Sequence, residues 1–383
     1  MSIFSDFFKK EAPLLGLQGS GGGLGFLTGS SGGGGTATFT GGTVTQINIS
    51  GQDYNLHTFY GPSNPATFTA SGNNSPNGGA GGADGAIEIF LVGGGGGGSV
   101  LGGGGGGGGV AVYVMPTGIQ PGSYTVSVGD GGAGEVGWND QQSNGQPSYF
   151  QYGSPTQKVE VAGGGGGQSY SYSYPNNTSL NVNVANTGGG NYPGNNKGHW
   201  TYQSATNTVA TPVGDFIRQS HHSGFIGGDG TTDCCPCRGG GGAGAGQAGV
   251  SARTGPTYRS GGANGGDGVQ VNFDGNNYYW GGGGAADGYC MSTPEPMPSS
   301  YQGKGGRGGG GGAATPQLPG YGLGGGFSIN SGGNGYTGPG DGPGAPGGSN
   351  SGGGGGSGSN GSGTISYTGG AGGSGIVMIR YKV

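Results

Sequence analysis

Cysteine and histidine supply the side chains in this sequence that could hold a metal ion or form a cross-link. The four cysteines are Cys234, Cys235, Cys237 and Cys290, and His221 and His222 lie upstream of them. Thiolate and imidazole ligands suit zinc, but this spacing matches no standard ligand pattern. Three states stay open: a zinc site, a disulfide between Cys290 and one of the other three cysteines, or free thiols, which assembly in the cytoplasm favours.

Aromatic side chains set among small polar residues mark a second candidate site. They lie in a polar insertion, residues 168–223, and are Tyr170, Tyr172, Tyr174, Tyr192, His199, Trp200 and Tyr202. Tyrosine and tryptophan offer large contact areas at low rotamer cost, while Ser, Asn and Gly add adaptable hydrogen bonds, as in antibody recognition loops. The insertion therefore indicates contact with a sugar or an outer-membrane protein. The alternative is an irregular loop whose aromatic rings cover the edge of the fold.

Motifs for catalysis are missing from the sequence. The pattern G-x-G-x-x-G occurs many times through composition alone and therefore carries almost no information. The Gly303-Lys304 pair lacks the flanking residues of a P-loop, and neither a nucleophile elbow nor a pair of carboxylates is recognisable. We therefore expect no catalytic residues and no cofactor, and we predict that the protein is not an enzyme.

Glycine dominates the chain that must position these residues. Of 383 residues, 113 are glycine and 21 are proline; only 8% are charged, and the net charge is −5. Aliphatic residues are too few for a conventional core of this length, and no basic surface is expected to hold nucleic acid. The first apolar stretch, residues 3–8, is too short for a signal peptide, and no run predicts a membrane span. We expect synthesis in the cytoplasm followed by assembly into something larger.

The glycines come in nearly pure blocks rather than at every third position, which excludes collagen. The main blocks are residues 93–98, 102–109, 163–167, 239–242, 281–284, 308–312 and 352–356. Without Cβ atoms, such blocks can form extended helices of three residues per turn that share backbone hydrogen bonds with neighbours on several sides. We predict a packed lattice of these polyglycine II helices. Flexible linkers are the alternative, although linkers usually mix glycine with serine.

Short segments rich in β-branched and aromatic residues separate the blocks and predict an all-β sandwich. The expected strands are residues 43–49, 54–59, 66–70, 86–92, 110–115, 123–128, 149–152, 158–162, 269–273, 278–280 and 375–383. Residues 50–53 and 274–277 predict hairpin turns. In the last strand, Val377, Ile379 and Tyr381 alternate with Met378 and Arg380, which predicts a strand buried on one face.

The N-terminal residues form a separate unit in this interpretation. A short helix is expected to end before Pro13, and the candidate anchor residues of the segment are Phe4, Phe7, Phe8, Leu14 and Leu15. They form either a hydrophobic anchor that docks on another protein or a frayed terminus that packs on its own sandwich. We divide the chain into residues 1–35, the anchoring segment, and residues 36–383, the glycine-rich sandwich with the insertion 168–223.

From about Thr67 to the C-terminus the sequence resembles the glycine-rich domain proteins of tailed bacteriophages, especially tail-fibre and other virion proteins of marine cyanophages. The likeness rests on transitions between strands and glycine blocks at residues 87–98, 102–113, 120–134, 159–167 and 373–381. The same alternation is similar to the glycine-rich ectodomain of anaplastic lymphoma kinase-type receptors. The resemblance implies a jelly-roll, tumour-necrosis-factor-like sandwich that carries a bundle of polyglycine helices.

The resemblance also implies a function. It indicates a tail-fibre, tail-tip or adhesin component of the virion that contributes to host attachment, located in the tail or fibre after assembly in the host cytoplasm. Its partners would be other virion proteins, bound through the N-terminus, and a host surface glycan or outer-membrane protein; no nucleic acid is expected. Copies of the chain would form a homo-oligomer, a trimer. The alternatives are a capsid or tail decoration protein without receptor binding, and a glycine-rich cell-wall or matrix protein.

Overall fold

The fold was analysed in a computed structural model of the full chain. The structure describes residues 37–61, 65–72, 80, 85–100, 102–136, 143–155, 157–168, 185–190, 208–209, 216–230, 239–252, 262–287, 303–314, 322–336, 342–359 and 368–383. The N-terminal segment, with its predicted helix and anchor, lies outside these ranges.

The described chain consists of β-strands and extended segments and contains no helix, so the predicted all-β class is confirmed. Over the same residues, no helix is available that could cross a membrane. The strands are β1 (Thr38–Thr40), β2 (Thr43–Ile49), β3 (Gln52–Tyr60), β4 (Ala66–Ser71), β5 (Ile87–Val92), β6 (Val110–Met115), β7 (Gly122–Ser127), β8 (Ser148–Gln151), β9 (Lys158–Val161), β10 (Thr208–Val209), β11 (Phe216–His222), β12 (Val269–Gln270), β13 (Tyr279–Trp280) and β14 (Ile376–Lys382).

Two antiparallel sheets make up most of this structure. The five-stranded sheet has the order β1-β4-β7-β8-β9, and the seven-stranded sheet has the order β10-β11-β6-β5-β14-β3-β2. A separate hairpin joins β12 to β13. Residues of both large sheets belong to one buried apolar cluster, in which Phe68 and Phe150 of the smaller sheet join Ile89, Leu91 and Val377 of the larger one. This arrangement is consistent with the predicted β-sandwich.

A buried histidine lies within the core between the sheets. His57 is fully buried; its Nδ1 is 2.7 Å from the carbonyl oxygen of Gly41, and its Nε2 is 3.3 Å from the hydroxyl of Tyr381. The short contact to a carbonyl indicates that Nδ1 carries the proton and donates it. Burial lowers the pKa of His57, because the charged imidazolium loses its hydration inside the fold. The residue is therefore neutral in the folded protein near pH 7.

The outer face of the seven-stranded sheet is buried over its central strands, which the sequence did not predict. Phe90 of β5 packs on Phe273 and Trp280, and Trp280 donates a hydrogen bond from Nε1 to the carbonyl oxygen of Val271 at 3.1 Å. Ile376 and Met378 of β14 lie in this second apolar cluster. The alternation predicted for β14 is correct, but its first four residues are buried on both faces because the segment containing β12 and β13 covers the sheet.

Most predicted strands agree closely with the structure, but three strands of the structure were not predicted. β2 has the predicted bounds, and the turn that follows it has positive φ angles at Ser50 and Gly51, as a tight hairpin turn requires. The missed strands are β1, β10 and β11. β11 comes from the end of the predicted insertion and pairs with β6 through an irregularity between Arg218 and Ser220, so part of that insertion belongs to the larger sheet.

Candidate functional site

The residues singled out in the sequence for binding lie outside the described ranges. These are the aromatic residues Tyr170, Tyr172, Tyr174, Tyr192, His199, Trp200 and Tyr202; the cysteines Cys234, Cys235, Cys237 and Cys290; and the anchor residues Phe4, Phe7, Phe8, Leu14 and Leu15. Their roles stay predictions. The structure does describe the residues next to many of them in sequence, and these belong to the glycine segments.

The first glycine block bonds to its neighbours with a period of three residues. The amides of Gly93 and Gly96 donate to residues 109 and 106, and the amide of Ser99 donates to residue 103. The amides of Gly94 and Gly97 donate to residues 146 and 143, whereas those of residues 95 and 98 donate to residues 373 and 370. Successive residues thus turn their amides toward three different segments.

The carbonyl groups of the same block face three further segments. Those of residues 94 and 97 accept from residues 164 and 167, those of residues 95 and 98 from residues 132 and 135, and those of residues 96 and 99 from residues 355 and 358. One extended segment is therefore hydrogen-bonded to six others. We call this set of hydrogen-bonded extended segments the glycine bundle. Since each of these bonds joins backbone atoms, the bundle does not depend on apolar side chains to hold its segments together.

Steric crowding explains why these positions are glycine. A Cβ atom added at Gly94 would overlap the carbonyl oxygen of Asp130, one at Gly97 that of Ala133, and one at Gly103 that of Gly189. In each case the obstacle is backbone, which cannot rotate away as a flexible side chain could. The blocks are pure glycine because neighbouring chains approach them from several directions.

Asn and Asp side chains accept hydrogen bonds from some backbone amides of the glycine segments, and this role was not predicted from the sequence. The Oδ1 of Asn264 accepts from the amide of Lys304 at 2.9 Å, and the Oδ1 of Asp267 accepts from the amide of Arg307 at 2.8 Å. Asp267 also accepts from the Arg307 guanidinium at 2.7 Å. The two acceptors are three residues apart, as are the two amides. Asn or Asp at this spacing around a glycine pair is the signal that could have revealed them.

One end of the glycine bundle lies away from the large sheets. Residues 93–99 leave β5 and residues 102–109 return to β6, and the antiparallel bonds between them put the connection near Val100 at the far end. Isolated bridges join Val100 to Gly358, Val136 to Thr368, and Gly342 to Ser359 at the same level. We call the region around Val100, Val136, Gly342, Gly358 and Thr368 the loop end.

Described residues that flank the predicted binding segments lie at the loop end. Gln168, the first residue of the aromatic insertion, accepts from the amide of Gly103 at 2.9 Å through its backbone carbonyl. Gly190, which precedes Tyr192 by two positions, donates to residue 228 and accepts from residue 240. Asp287, three residues before Cys290, donates from its amide to the Oγ of Ser357 at 2.5 Å. The three segments therefore start from one end of the bundle.

Acidic and apolar groups are both present at the loop end. Glu135 is fully buried, and its Oε2 accepts from the amide of Val100 at 2.6 Å; Asp287 is also buried. Val136, next to Glu135, is 59% exposed. The carboxylate of Glu135 thus satisfies a backbone amide where the glycine segment turns back, which ties two connections of the bundle together.

His221, near the end of β11, and Ser223, just beyond that strand, are close enough to be compared with a catalytic dyad. The Nε2 of His221 lies 3.4 Å from the Oγ of Ser223, and its Nδ1 lies 3.5 Å from the Nη1 of Arg218. A guanidinium only donates, so Nδ1 is the acceptor and the neutral ring donates from Nε2 to Ser223. To act as a general base, His221 would instead have to accept the hydroxyl proton of Ser223 on Nε2. Burial, together with the charges of Arg218 and His222, lowers the pKa of His221 to about 4, which makes it a weak base.

Among the residues that the structure describes, no cluster of three or more His, Cys, Asp or Glu side chains could hold a metal ion. Comparison with known families found a match to a family model described as a glycine-rich domain, over residues 83–347. A search of curated proteins and a search of solved structures found no match. The matched range contains the glycine segments from before β5 to residue 347, and the segments around residues 352–358 and 369–375 lie beyond it.

Proposed function

We propose that the chain, which belongs to this glycine-rich domain family, is a non-enzymatic structural protein of a tailed-phage virion. In this proposal it is a tail-fibre or tail-tip component that contributes to host-surface recognition. The N-terminal segment binds other virion proteins, three copies assemble, and the loops at the loop end bind a host glycan or outer-membrane protein. The affiliation with phage rests on the sequence resemblance. The hydrogen bonds of the glycine bundle support the part of the proposal in which the loops are held rigidly.

We further propose that the glycine segments are polyglycine II helices on a jelly-roll, tumour-necrosis-factor-like sandwich. The hydrogen-bond period of three along residues 93–99 supports this, because an extended helix of three residues per turn directs successive amides in three directions. The second long block supports it too. The amides of residues 103, 106 and 109 donate to residues 168, 165 and 162, while those of residues 104 and 107 donate to residues 240 and 243.

The observation that carries the recognition proposal is that Gln168, Gly190 and Asp287 all lie at the loop end of a densely bonded bundle. Segments that begin on a rigid support have less freedom than segments on a mobile linker. They therefore lose less conformational entropy when they bind a target. The aromatic and small polar residues of the insertion have the composition of surfaces that recognise varied ligands.

The experiment replaces the aromatic residues without disturbing the bundle. Deleting residues 168–223 as a whole would also remove residues 185–190 and β11, which belong to the described fold. We therefore suggest two variants of the full chain: Tyr170, Tyr172 and Tyr174 to Ser in one, and Trp200 and Tyr202 to Ser in the other. Fluorescently labelled protein is titrated on a panel of marine cyanobacteria, the hosts that the resemblance implies.

We expect the labelled protein to coat at least one strain, and both variants to bind roughly tenfold or more weakly, a loss of about 1.4 kcal/mol. The matched control is Phe327→Ser, which removes an aromatic side chain that is 72% exposed outside the insertion and should bind like the parent. Equal binding by parent and variants would contradict the assignment of the insertion. Release of sugars from purified host polysaccharide would contradict a non-enzymatic role.

A further inference from the structure

The edge strands of the two large sheets differ in how they are protected. β1 has three residues and β10 has two, and β9 has four residues with the charged side chains of Lys158 and Glu160. Short strands and charged residues are the usual means by which proteins prevent the pairing of exposed sheet edges. Three of these four edges are therefore protected.

β2 is the exception. It has seven residues, Thr-Val-Thr-Gln-Ile-Asn-Ile, without a charge or a proline, and it pairs with β3 in continuous register without a bulge. Its first four residues are exposed, and Val44 retains 52% of its accessible surface. Within the described chain, β2 is the last strand of its sheet, and no strand lies beyond it. A long, uncharged edge of this kind is a site for strand addition.

The hairpin turn determines which backbone groups of β2 point outward. Ile49 and Gln52 flank the two-residue turn and form a hydrogen-bonded pair. Hydrogen-bonded and non-hydrogen-bonded pairs alternate along an antiparallel ladder, so Ile47, Thr45 and Thr43 of β2 also bond to β3. The amides and carbonyls of the residues between them must point away from β3. These residues are Val44, Gln46 and Asn48. They present three donors and three acceptors along the edge.

We propose that this edge binds a second copy of the chain, β2 against β2 in antiparallel orientation, around a two-fold axis at Gln46. Only this register pairs all seven residues, and it forms about six backbone hydrogen bonds between residues 44, 46 and 48 of the two copies. Thr45 of one copy lies opposite Ile47 of the other, and the two Gln46 amides meet at the axis. Because β2 carries no charge, pairing with itself brings no like charges together.

The two-fold symmetry explains why the partner is a second copy rather than an unrelated strand. An antiparallel pair of identical edges is self-complementary, so each β2 edge is fully occupied by one partner edge. The turn beyond β2 is held by its own side chains, with Asn48 Nδ2 donating to Asp53 Oδ1 at 2.6 Å, so the edge is already ordered before pairing. The contact is separate from the three-fold assembly proposed above.

The test compares Gln46→Pro with Gln46→Ala in the full chain. The Gln46 amide points outward, so proline removes a donor from the edge but no hydrogen bond from the hairpin; alanine keeps the donor. Sedimentation velocity over a wide concentration range should show that the smallest species, one chain or the proposed trimer, associates further for the parent and for Gln46→Ala. For Gln46→Pro, we expect the dissociation constant to rise roughly tenfold or more.

Hydrogen exchange provides a second readout that does not need the proline variant to fold. Amides of residues 44, 46 and 48 should become protected as the parent concentration rises, whereas those of residues 43, 45 and 47 should be protected throughout. If the outward amides are equally protected at the lowest concentration, the edge is covered within one chain and the proposal is wrong. It is equally wrong if they stay unprotected at the highest concentration, or if a folded Gln46→Pro variant dimerises like the parent.

Discussion

The glycine bundle predicts a large penalty for the smallest possible side-chain addition. In Gly97→Ala, the new Cβ would overlap the carbonyl oxygen of Ala133 and lie 2.5 Å from its carbonyl carbon and 2.9 Å from the amide of Gly134. Real Cβ atoms essentially never approach other atoms within 3.0 Å. Since all three obstacles are backbone, the two segments must move apart.

The size of the effect follows from the bonds between these segments. Residues 132 and 135 donate to the carbonyls of residues 95 and 98 at 2.8 and 3.0 Å. Losing both costs about 1–3 kcal/mol, and overpacking adds about 1–3 kcal/mol. Alanine also reduces the conformational entropy of the unfolded chain, which offsets the loss of stability by about 0.4–1 kcal/mol. We therefore expect Gly97→Ala to lower the free energy of unfolding by about 1–6 kcal/mol.

Urea unfolding followed by intrinsic fluorescence measures this difference. The control is Gly326→Ala, because a Cβ added at Gly326 has no atom within 4 Å and its φ is not positive. Alanine there should be neutral or stabilising by up to about 1 kcal/mol. If the two variants unfold at the same urea concentration, the segments are not packed as described, and the structural basis of the recognition proposal is lost.

Two further predictions concern the sheets. Trp280→Ala should lower the free energy of unfolding by about 3–5 kcal/mol in urea titrations, since the ring is fully buried against Phe90; a loss below about 1 kcal/mol would contradict its covering role. Because the pKa of His221 is lowered from 6.5 to about 4, its stabilising effect is complete above pH 6.5 and falls as the pH drops toward 4. His221→Gln should therefore flatten the pH dependence of stability between pH 6.5 and 5, and an unchanged slope would show that His221 is not protonated on unfolding.

The strands were predictable where local pattern and turn chemistry agree, as in β2 and β6. β11 was missed because Phe216–His222 contains only two large apolar residues and lies in a polar context; its place in the sheet comes from pairing with β6, far away in sequence. The burial of Met378 was missed for a similar reason, since its cover comes from Trp280 and Phe273, about a hundred residues earlier.

The glycine blocks show what composition can and cannot predict. Purity of the blocks indicates close backbone approach, and the structure contains that approach at Gly94 and Gly97. The identity of each neighbour could not be predicted, because an amide such as that of Gly95 bonds to residue 373 through groups that every residue has. Side-chain acceptors such as Asn264 are the exception, since their type and spacing are visible in the sequence. The roles of the aromatic, cysteine and anchor residues stay predictions.

The position of β14 has a consequence for biosynthesis. This strand, residues 376–382 of 383, lies between β5 and β3 and pairs with both along most of its length. The ribosome therefore makes this central strand long after β3 and β5, and the larger sheet cannot close until residues 376–382 have been synthesised. Products that stop before residue 376 would lack the strand that joins the two halves of the sheet. Such products would be unable to mature.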